Sequence, residues 1–79
     1  MKIWKLSNSK FECSMFSTWG KVYSDPLDAS KEMFEQYITR FNLYKDEVII
    51  AEYHPSTCAN LVLKDGRRWT WAIDMLEVK

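Results

Sequence analysis

The sequence predicts a two-layer α+β domain with the element order ββαβββ, in which one helix packs on one face of a 4–5-stranded antiparallel sheet. Three observations carry that expectation. Asp65-Gly66 separates two runs rich in β-branched, aliphatic and aromatic residues, the strongest short-range hairpin signal. Asp25-Pro26-Leu27-Asp28 opens a segment whose large apolar residues recur three and four apart, as on an amphipathic helix. The remaining apolar runs, such as Val48-Ile49-Ile50-Ala51, are too short and too β-branched for helices.

The hairpin has two candidate registers. A two-residue loop, Asp65-Gly66, sets Lys64 against Arg67 and divides Leu61 and Leu63 from Trp69 and Trp71 onto opposite faces. A three-residue loop, Lys64-Asp65-Gly66 with Gly66 left-handed in a bulge, sets Leu63 against Arg67, Leu61 against Trp69 and Ala59 against Trp71. One face then reads Ala59, Leu61, Leu63, Trp69, Trp71, Ile73. Because side chains alternate, a one-residue slip exchanges the faces, so the hydrophobic pattern selects the bulged loop.

In chain order, Lys2 to Ser7 reads as a short strand and Ser7-Asn8-Ser9-Lys10 as a turn, since Asn and Ser side chains bond back to their own backbone. Phe11 to Thr18 reads as a second strand. Trp19-Gly20 is expected to bulge or bend before the strand resumes at Lys21-Val22-Tyr23-Ser24. Asp25 can cap the helix and Pro26 suits its first position. Ser30, Met33, Phe34, Tyr37, Ile38 and Phe41 form the inward stripe. Asp28, Lys31, Glu32, Glu35, Gln36, Thr39 and Arg40 form the solvated face, and Asn42 is the expected stop. Glu47 to His54 is the third strand, Pro55-Ser56-Thr57 a turn, and Met75 to Lys79 either continues the last strand or trails as a tail.

Seventy-nine residues make one domain, residues 1–79, without repeat, linker or low-complexity segment. A chain of this length buries only about 60–65% of its unfolded surface, and four each of Trp, Tyr, Phe and Met supply a dense core. The 47% apolar content, with two Gly and two Pro, argues against disorder. The net charge is zero but unevenly spread: +3 over residues 1–24, −4 over 25–58 and +1 over 59–79. Such a dipolar surface suits a protein partner better than a polyanion. No apolar run approaches the ~20 residues of a membrane span, and the N-terminus lacks the apolar core of a signal peptide. Cys13 and Cys58 are therefore read as reduced thiols in a cytoplasmic protein, with one bridge between them as the alternative.

Enzymatic chemistry finds little support. His54 is the sole histidine, and a nucleophilic pair with Cys58 or Cys13 requires a third group to orient its ring, which the sequence does not single out. Cys13, His54 and Cys58 do not have zinc spacing, and structural zinc wants four ligands. Glu47, Glu52 and Asp74 read as charged strand partners, and two glycines in all preclude a glycine-rich phosphate loop. The expectation is a non-enzymatic domain without metal or cofactor.

Two binding readings remain. Lys64, Arg67 and Arg68 lie close to Trp69 and Trp71, an interleaving that can stack single-stranded nucleic acid if the indoles face water. If the indoles face the helix, protein binding is the better reading. Phe16, Trp19, Tyr23, Tyr44, Val62 and Met75 then have no evident place in the core, and exposed aromatics are the material of interface hot spots. The expected contact surface is the uncovered sheet face with Phe16, Trp19, Tyr23 and Val62, or the acidic helix face of Asp28, Glu32 and Glu35. The partner would be a larger protein or complex, blocked or bridged by an inhibitor or adaptor. A homodimer is the further partner this composition allows. In architecture alone such a domain resembles small phage-encoded inhibitors of host enzymes or defence complexes, and no motif extends that resemblance.

Overall fold

The computed structural model of the chain describes residues 1–12 and 15–78, with residues 12, 15 and 16 described by their backbone. The elements are β1 (Lys2–Glu12), β2 (Met15–Tyr23), α1 (Pro26–Tyr44), β3 (Val48–His54), β4 (Cys58–Leu63) and β5 (Arg68–Glu77). All five strands join one antiparallel sheet in the order β2-β1-β5-β4-β3, with α1 across one face. This is the expected ββαβββ arrangement.

The hairpin adopts the three-residue loop. Leu61 lies opposite Trp69 and Ala59 opposite Trp71. The Leu63 amide donates to the Arg67 carbonyl (2.8 Å) and the Gly66 amide to the Leu63 carbonyl (3.1 Å). Gly66 takes φ +95°, a region costly for any residue with a Cβ. Asp65 locks the turn from outside: its carboxylate accepts from the Arg67 amide (3.0 Å) and Nε (2.7 Å). Those bonds, the backbone one foremost, hold the Asp65 carboxyl below the usual carboxylate range.

This register delivers Ala59, Leu61, Leu63, Trp69 and Trp71 to the helix side, where they are buried with Leu6, Ala29, Met33 and Tyr37. Trp69 and Trp71 are 2% and 1% exposed. From the helix, Tyr37 meets Trp71 edge-on at 5.9 Å and Tyr44 stacks on Trp69 at 5.3 Å. The Asp25 side chain caps the helix through the Leu27 amide (2.9 Å), with Pro26 in the first turn as expected.

Four expectations need correction. Ser7 to Lys10 is strand, because β1 has neighbours on both sides there: Ser7 pairs with Gly20 and Ala72, and Asn8 with Trp19 and Trp71. Two ladders supply every backbone partner a local turn would have offered, and the Asn8 side chain donates instead, through Nδ2, to the Thr70 carbonyl (3.3 Å). Trp19-Gly20 runs straight through β2 without a bulge. A Cβ at Gly20 would sit 3.2 Å from Lys5 Cε, so glycine there makes room for a neighbouring stem. The helix passes Asn42 and ends at Tyr44, where the Tyr44 carbonyl accepts from the Glu47 amide (2.8 Å). Finally, Glu32, Gln36 and Arg40 are half-buried, not solvated, and Phe34 of the expected inward stripe is 46% exposed. The C-terminal residues continue β5 and do not trail: Lys2 pairs with Glu77, and Val78 exchanges hydrogen bonds with Met1.

The two core indoles differ in one polar contact. Trp71 Nε1 donates to Gln36 Oε1 (3.0 Å), whereas the buried Trp69 Nε1 has no partner among the described residues. Both Trp→Phe changes remove ring volume, but only W71F strips a hydrogen bond. W71F is therefore expected to destabilise the fold more than W69F, by about 1 kcal/mol. Urea unfolding of the two variants checks this, and an equal or larger loss in W69F contradicts it.

Candidate functional site

Alternation along the strands places each candidate residue. On the helix side of β1 and β2 lie Trp4, Leu6, Asn8 and Lys10, matched across the ladder by Tyr23, Lys21, Trp19 and Ser17. Trp19 and Tyr23 are thus on the helix side and not on the bare face, a correction to the surface expected of them. The cause is the straight run through Gly20: without a bulge, the odd-numbered residues of β2 keep one face throughout. The side chain of Phe16 lies outside the described residues, as does Cys13. Val62 is on the bare face, half-buried and in register with Arg68 and Ile50.

The helix does not roof the sheet evenly. It packs on all five strands, and its aromatic contacts are with Tyr53 of β3 and Trp69 and Trp71 of β5. Next to it, over the β1–β2 ribbon, runs an open cleft of about 300 Å³ lined by Asn8, Lys10, Ser17, Thr18, Trp19, Gln36 and Arg40. Trp19 is 41% exposed on its far wall. Gln36 is held on the near wall by two bonds, accepting from Trp71 Nε1 and donating to Glu32 Oε1 (3.3 Å). The Arg40 guanidinium lies 5.9 Å from the Trp69 ring centroid and meets no carboxylate among the described residues. A second hollow continues the cleft along Glu32, Glu35, Gln36, Thr39 and Arg40.

The spacing 28, 32, 35 sets Asp28, Glu32 and Glu35 on one helical stripe. That stripe faces Tyr23. The Tyr23 hydroxyl is buried with no hydrogen-bond partner among the described residues, and its pKa is raised first by that burial, then by the negative charges of Glu32 and Asp28. Lys21 Nζ lies 5.3 Å from the Tyr23 ring centroid. Trp19 and the acidic residues Glu32 and Glu35, expected on separate surfaces, therefore line adjoining hollows that share Gln36 and Arg40. Sequence reasoning missed Asn8, Gln36 and Arg40. Gln36 and Arg40 have the polar spacing of a solvated face, and only the position of the indoles shows that they border the core.

The basic residues near the hairpin do not converge. Arg67 is consumed by Asp65 and by Glu47 (3.1 Å), and its guanidinium lies over Tyr44 at 4.8 Å. Arg68 projects from the opposite face, 5.6 Å from the Phe11 ring. Lys64 is exposed in the turn. The histidine has a neighbour that sequence reading did not single out: Glu52 Oε2 lies 3.9 Å from His54 Nε2, and Cys58 is directly across the ladder from His54. No hydrogen bond joins Cys58 to His54, and both His54 and Glu52 are well exposed. Among the described residues, no three His, Cys, Asp or Glu side chains group as metal ligands would. No helix among them is long and apolar enough to cross a membrane.

The chain matches no family model, no curated protein and no solved structure.

Burial of the Tyr23 phenol makes a pH-dependent statement. A group whose proton is held more tightly in the folded state stabilises fully below its unfolded pKa, here about 10, and loses that contribution as pH rises through the folded value. Tyr37 behaves alike, through burial alone. Ultraviolet titration is expected to show late-ionising tyrosines, and E32Q to bring one of them down towards the ordinary range. If E32Q leaves the titration curve unmoved, Tyr23 does not face that carboxylate.

Proposed function

We propose that this is a non-enzymatic interaction domain that holds a larger protein through the cleft between α1 and the β1–β2 ribbon, as an inhibitor or adaptor would. The observation that carries this reading is that Trp19, 41% exposed, and Arg40 line one opening from its two sides. Trp, Tyr and Arg are the residue types that dominate interface energetics. They are set here on regular elements and not on loops, so their positions are fixed before a partner arrives, which lowers the entropy cost of association.

The cleft has mixed charge. Arg40 offers a guanidinium that meets no carboxylate among the described residues, and Glu32 and Glu35 line the adjoining hollow. A partner that seats an apolar side chain on Trp19 and a carboxylate on Arg40 fits that pattern. A nucleic-acid backbone fits it poorly, because its phosphates would meet the acidic stripe. The burial of Trp69 and Trp71 also removes the stacking platform on which the nucleic-acid reading depended.

The test is differential capture. Immobilised wild-type chain and the W19A and R40A variants are exposed to lysate of the source cell, and retained proteins are compared. Loss of a wild-type partner in both variants, with unchanged unfolding midpoints, is the expected result; a binding loss of 2 kcal/mol or more is typical of truncating such an anchor. Identical capture by all three, or affinity for single-stranded RNA that steepens as salt falls, contradicts it.

A further inference from the structure

The sheet face opposite the helix is a separate surface, and it complements itself. Cross-strand register arranges it in rows. One row holds Ile3 and Leu76; the next Val22, Lys5 and Asp74; the next Gly20, Ser7, Ala72, Cys58 and His54; the next Thr18, Ser9, Thr70, Asn60 and Glu52; and the next Phe11, Arg68, Val62 and Ile50. The four charges sum to zero, Lys5 and Arg68 against Asp74 and Glu52. Lys5 and Asp74 stand opposite each other across the ladder without forming an ion pair, and Arg68, 5.6 Å from the Phe11 ring centroid, meets no carboxylate among the described residues. Asp74 and Arg68, both on the central strand β5 and both exposed, are unpaired charges among the described residues.

We infer that this face is the interface of a two-fold homodimer, sheet on sheet with the helices outside, in which Asp74 of each copy meets Arg68 of the other. The axis that does this lies across the strands, between the Ala72 row and the Thr70 row. It turns each of the four rows from Asp74 to Arg68 onto its counterpart in the second copy. Asp74 falls on Arg68 and Arg68 on Asp74, Lys5 on the ring of Phe11, and His54 on Glu52. Between them Ser7 falls on Ser9 and Ala72 on Thr70, short side chains that let two sheets approach the ~10 Å separation of a sandwich. No like charges are opposed. An isologous contact requires that one patch fit itself in this way.

The area is sufficient for a weak, specific dimer. Strands of 6 to 11 residues, about 3.3 Å per residue and about 4.8 Å apart, give a face on the order of 500–600 Å², so a pair buries roughly 1,000–1,200 Å². Sheets in sandwiches cross at about 30°, which displaces the outer strands most and the β5 pair least, so the contact is expected to rest on Arg68 and Asp74. This inference does not depend on the cleft reading, since the two surfaces lie on opposite sides of the sheet.

Sedimentation equilibrium of the full chain from micromolar to millimolar concentration is the test. The wild type is expected to dimerise, and R68D and D74R each to raise the dissociation constant at least tenfold, because each homodimer then opposes like charges twice. Mixing R68D with D74R creates two attractive pairs per heterodimer. Native mass spectrometry of that mixture is expected to show heterodimers in preference to either homodimer, and the R68D/D74R double variant to regain wild-type affinity within about threefold. Circular dichroism confirms that each variant is folded, and if one is not, R68A and D74A with the same wild-type comparison replace the pair. A monomeric wild type across the range, single variants as dimeric as wild type, or a mixture with no heterodimer preference overturns the inference.

Discussion

The structure depends on a three-residue turn that keeps two indoles dry. With Lys64-Asp65-Gly66 as the loop, Trp69 and Trp71 share a face with Ala59, Leu61 and Leu63, and α1 closes over all five. Burying an indole removes roughly 150–250 Å² from water, on the order of 4–6 kcal/mol at about 25 cal/mol per Å². Any single cross-strand pair contributes only about 0.2–1 kcal/mol. The slipped register would set both indoles in water, so hydrophobic burial decides the hairpin, and the bulge at Gly66 and the Asp65–Arg67 clamp are the local means of reaching it.

That choice also creates the surfaces a partner can use. The helix crosses all five strands to cover the indoles and Leu6, and a single helix about 28 Å long cannot roof the whole sheet. A cleft remains between Gln36 and Arg40 on one side and Trp19 on the other. The opposite face of the sheet has nothing from the described chain over it. Gln36 links the two demands: its Oε1 satisfies the buried Trp71 nitrogen while its Nε2 reaches Glu32 on the rim. The core thus orients a side chain that borders the open cleft.

How much of this was legible follows from the range of each interaction. The Asp65-Gly66 turn, the Asp25-Pro26 start and the helical spacing are local, and each stands where the residues indicate. The β1–β2 ribbon is not local. Ser7-Asn8-Ser9-Lys10 has turn chemistry, yet β2 and β5 flank it and the ladders win. Missing that moved the strand boundary, and with the expected bend at Trp19-Gly20 it turned Trp19 and Tyr23 to the wrong side. Parity errors of this kind propagate along a strand because the side-chain period is two. Gln36 and Arg40 were misjudged for a related reason. A polar residue on a helix can border the core when a buried donor or an aromatic ring faces it, and the sequence does not display that neighbour.

The account stands on the indoles of β5 being sealed beneath the helix while the indole of β2 is open to the cleft. Hydrogen exchange at the four tryptophan Nε1 positions, followed by NMR with each resonance assigned by substitution, measures that directly. Trp69 and Trp71 are predicted to exchange slowly, through global unfolding, and Trp19 rapidly, as an exposed side chain does. Exchange of the Trp69 and Trp71 protons as fast as that of Trp19 would contradict the account.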